Sequence, residues 1–359
     1  MAEADDLPLS KKIAFSAAGL FVLLVALCVL AALGELVMRA IGPRSDGQQL
    51  GVRYDDSPRL YGLKPNARAL QTGVLVQTNS LGFRENEYPV ERAAGKRRIV
   101  VLGDSYTFGL GVEFGQTYGK RLEARLSRAL GPTEVINFGV SGYNTVQELA
   151  TLREIAARYR PDLIVVGFVL NDVERTLPAK KAPAAGAWSL LAAHNSLKRH
   201  SMLYRYLAPK VGAVFALFGA RYAFGVTHNL IDSYSEASPG WADARQALLG
   251  IAGEARRLQA GLLVVVFPMM VDFRSYPLEH AHRAVIGFCQ ENGIEALDLL
   301  ARFRDENAAA LAVFLDGHPN ARAHQIFADE IYAYLARATP AARSVPVGGE
   351  ANTAGRSAD

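Results

Sequence analysis

The chain has 359 residues, half of them hydrophobic, with 9% aromatic and 21% charged side chains, enough for one sizeable globular domain with appendages. Its formal net charge of +4 is too mild to argue for nucleic acid, and no basic stripe interleaved with aromatics points to one. The two cysteines, Cys28 and Cys289, lie in unrelated segments, so neither a disulfide nor a thiolate metal site is expected, and the compartment stays open on that count.

After a stub of residues 1–12, the 22 residues from Ile13 to Gly34 carry no charge. At 1.5 Å per residue they reach roughly 33 Å, enough to cross the hydrocarbon core of a bilayer. A secretory signal has a shorter apolar core, about 7–15 residues. Although Ala32-Leu33-Gly34 offers a poor cleavage site, the length predicts an uncleaved transmembrane anchor over residues 13–37. The flanking charges, Lys11 and Lys12 against Arg39 and Arg44, are nearly balanced. A short stub ahead of a large C-terminal part favours N-inside topology, with the globular part outside the cytoplasmic membrane.

Residues 38–95 read as a polar, loop-rich stem holding Pro43, Pro58, Pro65 and Pro89, with one short strand over 74–79. From residue 96 the pattern alternates. Strands are predicted at Ile99–Leu102, Val135–Phe138, Leu163–Phe168, Leu262–Phe267 and Ile294–Leu297, and helices at 116–130, 145–159, 240–259, 279–292 and 321–337. Near-continuous apolar strands between amphipathic helices imply an α/β domain over 96–338, with a parallel five-stranded sheet covered on both faces. An insert at 178–228 breaks the alternation. It holds Lys180, Lys181, Lys198, Arg199, Arg205, Lys210 and Arg221, and no acidic residue. Its apolar stripe (Leu203, Leu207, Val211, Val214, Phe218, Tyr222) suits a helical lid with a solvated basic face, or a helix on a membrane surface or anionic polymer. The tail, 339–359, is small and polar and expected to be disordered.

The first predicted strand ends in Gly103-Asp104-Ser105, which puts a serine hydroxyl at a strand-to-helix turn on the carboxyl edge of the sheet, where such sheets hold ligands. A hydroxyl nucleophile needs a base. His280 and His282, two apart on a helix, face different directions, and His194, His200 and His228 sit in or near the basic insert. Asp316-Gly317-His318 lies in a loop that opens on the same sheet edge, and a carboxylate that fixes the tautomer of a neighbouring imidazole is triad logic. Helix capping by Asp316 and Asn320 is the plainer alternative. The glycines of Asn137 to Asn144 let backbone N–H groups approach a ligand, and Asn171 ends the third strand. Four successive edge loops thus offer hydroxyl, N–H, amide and carboxylate with imidazole, the parts an acyl-transfer site needs.

With these blocks in this order, residues 96–338 resemble the SGNH/GDSL hydrolase superfamily. The resemblance implies a flavodoxin-like three-layer α/β/α fold and makes Ser105 the nucleophile, His318 the base and Asp316 its orienter. It makes the N–H groups of Ser105 and Gly142 and the Asn171 amide the oxyanion donors, with no metal or organic cofactor. Asn79-Ser80-Leu81-Gly82-Phe83-Arg84 and the segment Ser235 to Trp241 look like its membrane-anchored bacterial branch, whose members often accompany exopolysaccharide or envelope assembly. The implied activity is ester hydrolysis, removing O-acyl (acetyl) groups from an envelope carbohydrate. Acyl transfer onto a glycan and a non-catalytic carbohydrate-binding or scaffold role are the alternatives. Two positions depart from the pattern: Val169 stands where the family usually has Gly, and one residue, not two, separates Asp316 from His318.

Overall fold

The computed structural model describes residues 9–41, 50–53, 56–175, 230–313 and 317–337, with residues 197, 201, 203 and 204 of the insert. The remainder of the insert, with His194, His200 and His228, lies outside the described residues, as do Asp316 and the tail.

The N-terminal apolar run forms α1 (Leu9–Ile41), somewhat longer than the predicted anchor at both ends. Within it Ala18–Ala40 is long and apolar enough to cross a membrane, and its large apolar side chains are exposed. A signal sequence passes the same test of length and composition. Near its C-terminal end Glu35 accepts hydrogen bonds from Ser201 Oγ (2.7 Å) and the Leu203 N–H (3.0 Å), which brings these two residues of the insert against the helix.

The stem is more structured than its prolines suggest. It forms two antiparallel pairs, β1 (Gly51–Arg53) with β2 (Tyr61–Leu63), and β3 (Arg68–Gln71) with β4 (Val74–Gln77). Leu63, Ala69, Val76 and Phe83 enter the same buried cluster as the main sheet. Phe83 meets Phe138 edge to face at 4.9 Å.

Five apolar segments make the main sheet: β5 (Arg97–Gly103), β6 (Thr133–Asn137), β7 (Leu163–Val169), β8 (Gly261–Phe267) and β9 (Glu295–Asp298). They pair in parallel in the order β6-β5-β7-β8-β9, the flavodoxin-like arrangement. Both faces are covered, so the central strands are buried throughout, and Val100, Val101, Val165, Val166, Val264 and Val265 are wholly inaccessible. The chain continues from β5 into α2 (Ser105–Phe108) and α3 (Tyr118–Leu130), and from β6 into α4 (Thr145–Glu154). The later helices are α5 (Pro239–Leu258), α6 (Glu279–Glu291) and α7 (Ala321–Arg337). One layer joins α3 to α7 through Arg121–Gln325 and Arg125–Asp329. The other joins α4 to α5, with Arg153 paired to Glu254 at 3.0 Å, and Trp241 of α5 packs on Phe288 of α6.

The strand β6 is an edge, and side chains occupy its outward backbone groups. Ser127 Oγ donates to Thr133 O (3.1 Å) and accepts from Thr133 N (3.2 Å). Glu123 accepts from Val135 N (2.7 Å), Lys120 donates to Val135 O (2.9 Å), and Glu85 of the stem accepts from Asn137 N (2.9 Å). Lys120 also pairs with Glu85 at 2.9 Å. Although burial opposes it, the carboxylates of Glu85 and Glu123 hold the Lys120 ammonium above its ordinary pKa, so these bonds keep their charge.

Candidate active site

The turn after β5 fixes Ser105. Gly103 has φ +155°, and a Cβ there would lie 2.0 Å from Thr107 Oγ1, so only glycine lets the strand meet α2 this closely. Asp104 caps α2, its Oδ1 accepting from the Tyr106 N–H at 2.8 Å. Arg84, from the stem motif, is 2% exposed and donates to the carbonyls of Phe108 (3.2 Å), Gly109 (2.5 Å) and Val112 (2.7 Å). These are carbonyls at and just beyond the C-terminal end of α2, where helical partners run out; that of Gly109 also accepts from the Val112 N–H at 3.3 Å.

Across 213 residues of sequence, His318 Nε2 lies 2.8 Å from Ser105 Oγ. The loop carrying it is tied down on both sides: Val313 N donates to His318 O, and Asn320 N donates to Leu311 O at 2.8 Å. The serine proton has a second acceptor in Asp104 Oδ2, at a longer 3.1 Å. The geometry therefore suits proton transfer to the imidazole. Asp316, expected to orient that ring, is outside the described residues.

The other predicted residues converge on the same edge. Val140 N donates to Gly103 O (3.1 Å), which holds the loop after β6 beside the strand that leads into Ser105. Gly142 in that loop has φ +80°. A reciprocal capping box, Asn144 with Gln147, starts α4 directly after it. Asn171 Nδ2 points at Asp104 Oδ2 (3.4 Å), one residue from Ser105. Val169, the departure from the family pattern, is wholly buried in β7, and its N–H donates to Asp172 Oδ2 at 2.8 Å. His280 and His282 go separate ways. His280 Nε2 donates to Ile231 O (2.8 Å), whereas His282 is buried with Nδ1 2.7 Å from Asp298 Oδ1.

Several residues around the site have roles that the sequence reading did not assign. Asp104, Glu148 and Asp172 are buried acids, and burial, reinforced by their mutual repulsion for Glu148 and Asp172, raises the pKa of each. Asp172 directly follows Asn171, a placement that sequence could have flagged; Glu148 lies on α4 and nothing local marks it. Tyr61 reaches the Gly142 loop from β2, with its OH 3.0 Å from Ser141 O.

Residues 101–326 match the GDSL-like lipase/acylhydrolase family. Solved structures similar to the chain include TesA, at 17% identity and a TM-score of 0.40, covering 67% of this chain and 98% of that one. An acetylxylan esterase from Geobacillus stearothermophilus, Axe2, is 17% identical with a TM-score of 0.42, covering 67% and 94%. The acetyl xylan esterase AlAXEase is 12% identical with a TM-score of 0.42, covering 66% and 98%. No curated protein matches the chain significantly. With more than half of its length inside the matched span, the chain belongs to the GDSL-like lipase/acylhydrolase family of SGNH ester hydrolases.

Proposed function

We propose that this ester hydrolase works through an acyl-serine intermediate at Ser105 and removes O-acyl groups, acetyl foremost, from a carbohydrate of the bacterial envelope. The 2.8 Å approach of His318 Nε2 to Ser105 Oγ carries the reading. His318 takes the serine proton as Oγ attacks the ester carbonyl, then returns it to the departing sugar oxygen. Water, deprotonated by the same imidazole, attacks the acyl-enzyme and releases the acid. The tetrahedral oxyanion takes the N–H groups of Ser105 and Gly142 and the Asn171 amide. Asp316 orients His318. The segment at 13–37 anchors the chain in the cytoplasmic membrane, with the catalytic domain on the outer side among the envelope polymers, where assembly proteins of those polymers are the expected partners. The residues named do this chemistry as acid, base and hydrogen-bond donors.

The test compares full-length chain with Ser105→Ala on p-nitrophenyl acetate and on acetylated polysaccharides, alongside fluorophosphonate labelling. The expected result is turnover and labelling at Ser105 in the wild type, and neither in the variant with its fold retained. His318→Ala should be nearly as severe, and Asp316→Asn milder. An unchanged rate in Ser105→Ala sinks the nucleophile assignment. Wild type that resists labelling points to a binding or scaffold role. Acetylated sugar, formed when an acetyl donor and an oligosaccharide acceptor are supplied together, moves the reading from hydrolysis to acyl transfer.

A further inference from the structure

The stem does more than connect. Tyr61 on β2 and the loop after β6 clasp each other reciprocally. The Tyr61 phenol donates to Ser141 O at 3.0 Å, while the Tyr143 phenol donates to Tyr61 O at 2.5 Å. The two rings meet edge to face with centroids 5.2 Å apart. Gln147, the other half of the α4 capping box, donates through Nε2 to Arg59 O at 2.7 Å. Immediately before Tyr61, Leu60 sits at φ +62°, a left-handed conformation that branched side chains seldom adopt and that the surrounding contacts must enforce.

The bond partner matters because Ser141 C=O and Gly142 N–H are two ends of one peptide group. A hydrogen bond to the carbonyl draws electron density toward oxygen and makes the N–H a better donor. Tyr61 OH also lies 2.8 Å from where a Cβ on Gly142 would be, so the phenol is seated directly on this peptide and the site tolerates only glycine beneath it. Burial, and then the nearby charge of Asp104, push the phenol pKa up to about 12, so it stays a donor across the working pH range.

We propose that Tyr61 is a positioning residue for ester hydrolysis: its phenol orients and polarises the Ser141–Gly142 peptide so that the Gly142 N–H meets the oxyanion. This rests on the assignment of Gly142 as an oxyanion donor in the proposed function. The stem, outside the family-matched span, is then part of the catalytic apparatus.

The experiment is Tyr61→Phe in the full chain, which keeps the ring and removes the donor. A whole oxyanion donor is worth about 10²–10³ in rate, and one bond strengthens its neighbour by roughly 10–30%, so kcat on p-nitrophenyl acetate should fall about two- to eightfold. KM and the melting temperature should not move, because the effect belongs to the transition state. Fluorophosphonate labelling of Ser105, which forms a tetrahedral adduct, should slow by a similar factor. Rates are normalised to active sites counted by burst titration, so a misfolded fraction cannot imitate the loss. A kcat and labelling rate equal to wild type overturn the proposal, as does a loss that appears in KM or tracks a lowered melting temperature. If wild type itself shows neither turnover nor labelling, the Ser105 assignment fails and this proposal falls with it; wild-type activity with an unaffected Tyr61→Phe removes this proposal alone.

Discussion

Replacing Arg84 by Met keeps the length of the side chain and removes the charge that holds the end of the turn carrying Ser105. Three hydrogen bonds from a charged donor contribute about 1.5–3 kcal/mol each, roughly 5–9 kcal/mol in gross terms. Against this stands the cost of keeping a guanidinium 2% exposed: burial lowers its pKa from 12.5 to about 10, which at about 1.36 kcal/mol per unit is on the order of 3 kcal/mol. The net expectation is therefore a loss of about 2–6 kcal/mol, bracketing the scale seen when one partner of a buried charged interaction is removed. Urea titration of the full chain in detergent measures it. Activity should fall as well, because the carbonyls of Phe108, Gly109 and Val112 lose the guanidinium, Gly109 keeping the Val112 N–H at 3.3 Å, at the far end of the four-residue helix that begins at Ser105. Arg84→Lys should recover little, since one ammonium cannot span carbonyls that two guanidinium nitrogens now share. A loss under about 0.5 kcal/mol, the range of an ordinary surface substitution, with full activity would refute the reasoning and mean that water serves these carbonyls equally well.

Acid should destabilise the protein through His324. Burial first, then the positive charges of Arg84 and Arg121, push its pKa from 6.5 down to about 3, so below pH 6.5 the unfolded chain binds a proton that the folded chain refuses. Between pH 7 and 5 this amounts to about 2 kcal/mol of lost stability. The buried acids Asp104, Glu148 and Asp172 act in the opposite sense, since their raised pKa values add stability as pH falls. The difference in pH slope between wild type and His324→Gln isolates the histidine, and identical slopes would show that it contributes nothing. A second expectation concerns truncation: chain beginning at residue 50 should retain esterase activity in solution, whereas chain beginning at residue 96 should lose it and aggregate. Equal activity of the two would mean that the stem is dispensable.

The main sheet was readable because β5 to β8 each hold a run of β-branched and other apolar residues; the predicted strands each fall within one or two residues of those observed. The helix predicted over 145–159 instead splits at Ile155, whose φ of −130° ends α4 before a short 3-10 turn over Ala156–Tyr159. Periodicity cannot see such a break, because the apolar spacing continues through it. The stem was read as polar linker for a different reason. Its strands are three or four residues long, too short for a period, and Arg84 and Glu85 look like solvated charges. Both are buried, because backbone carbonyls at 108–112 and Lys120 provide their partners from distant sequence. For the site, Ser105 and His318 are readable as chemical types in two loops that the fold brings together. Tyr61 was not, since a tyrosine in a loop-rich stem carries nothing that names a carbonyl 80 residues away.

The sealing of β6 limits how copies of this protein can associate. A parallel sheet with an open edge invites a second copy to continue it, but here a serine, two glutamates and a lysine already occupy the outward backbone groups, and they would have to be displaced together. The loop bearing Gly142 leaves the carboxyl end of that same strand. A neighbour adding a strand there would crowd the edge at which Ser105 and His318 meet, so the charged border of β6 keeps that approach clear. Self-association is thereby steered to the β9 side or to a helical face, where a second copy leaves the Ser105 edge open.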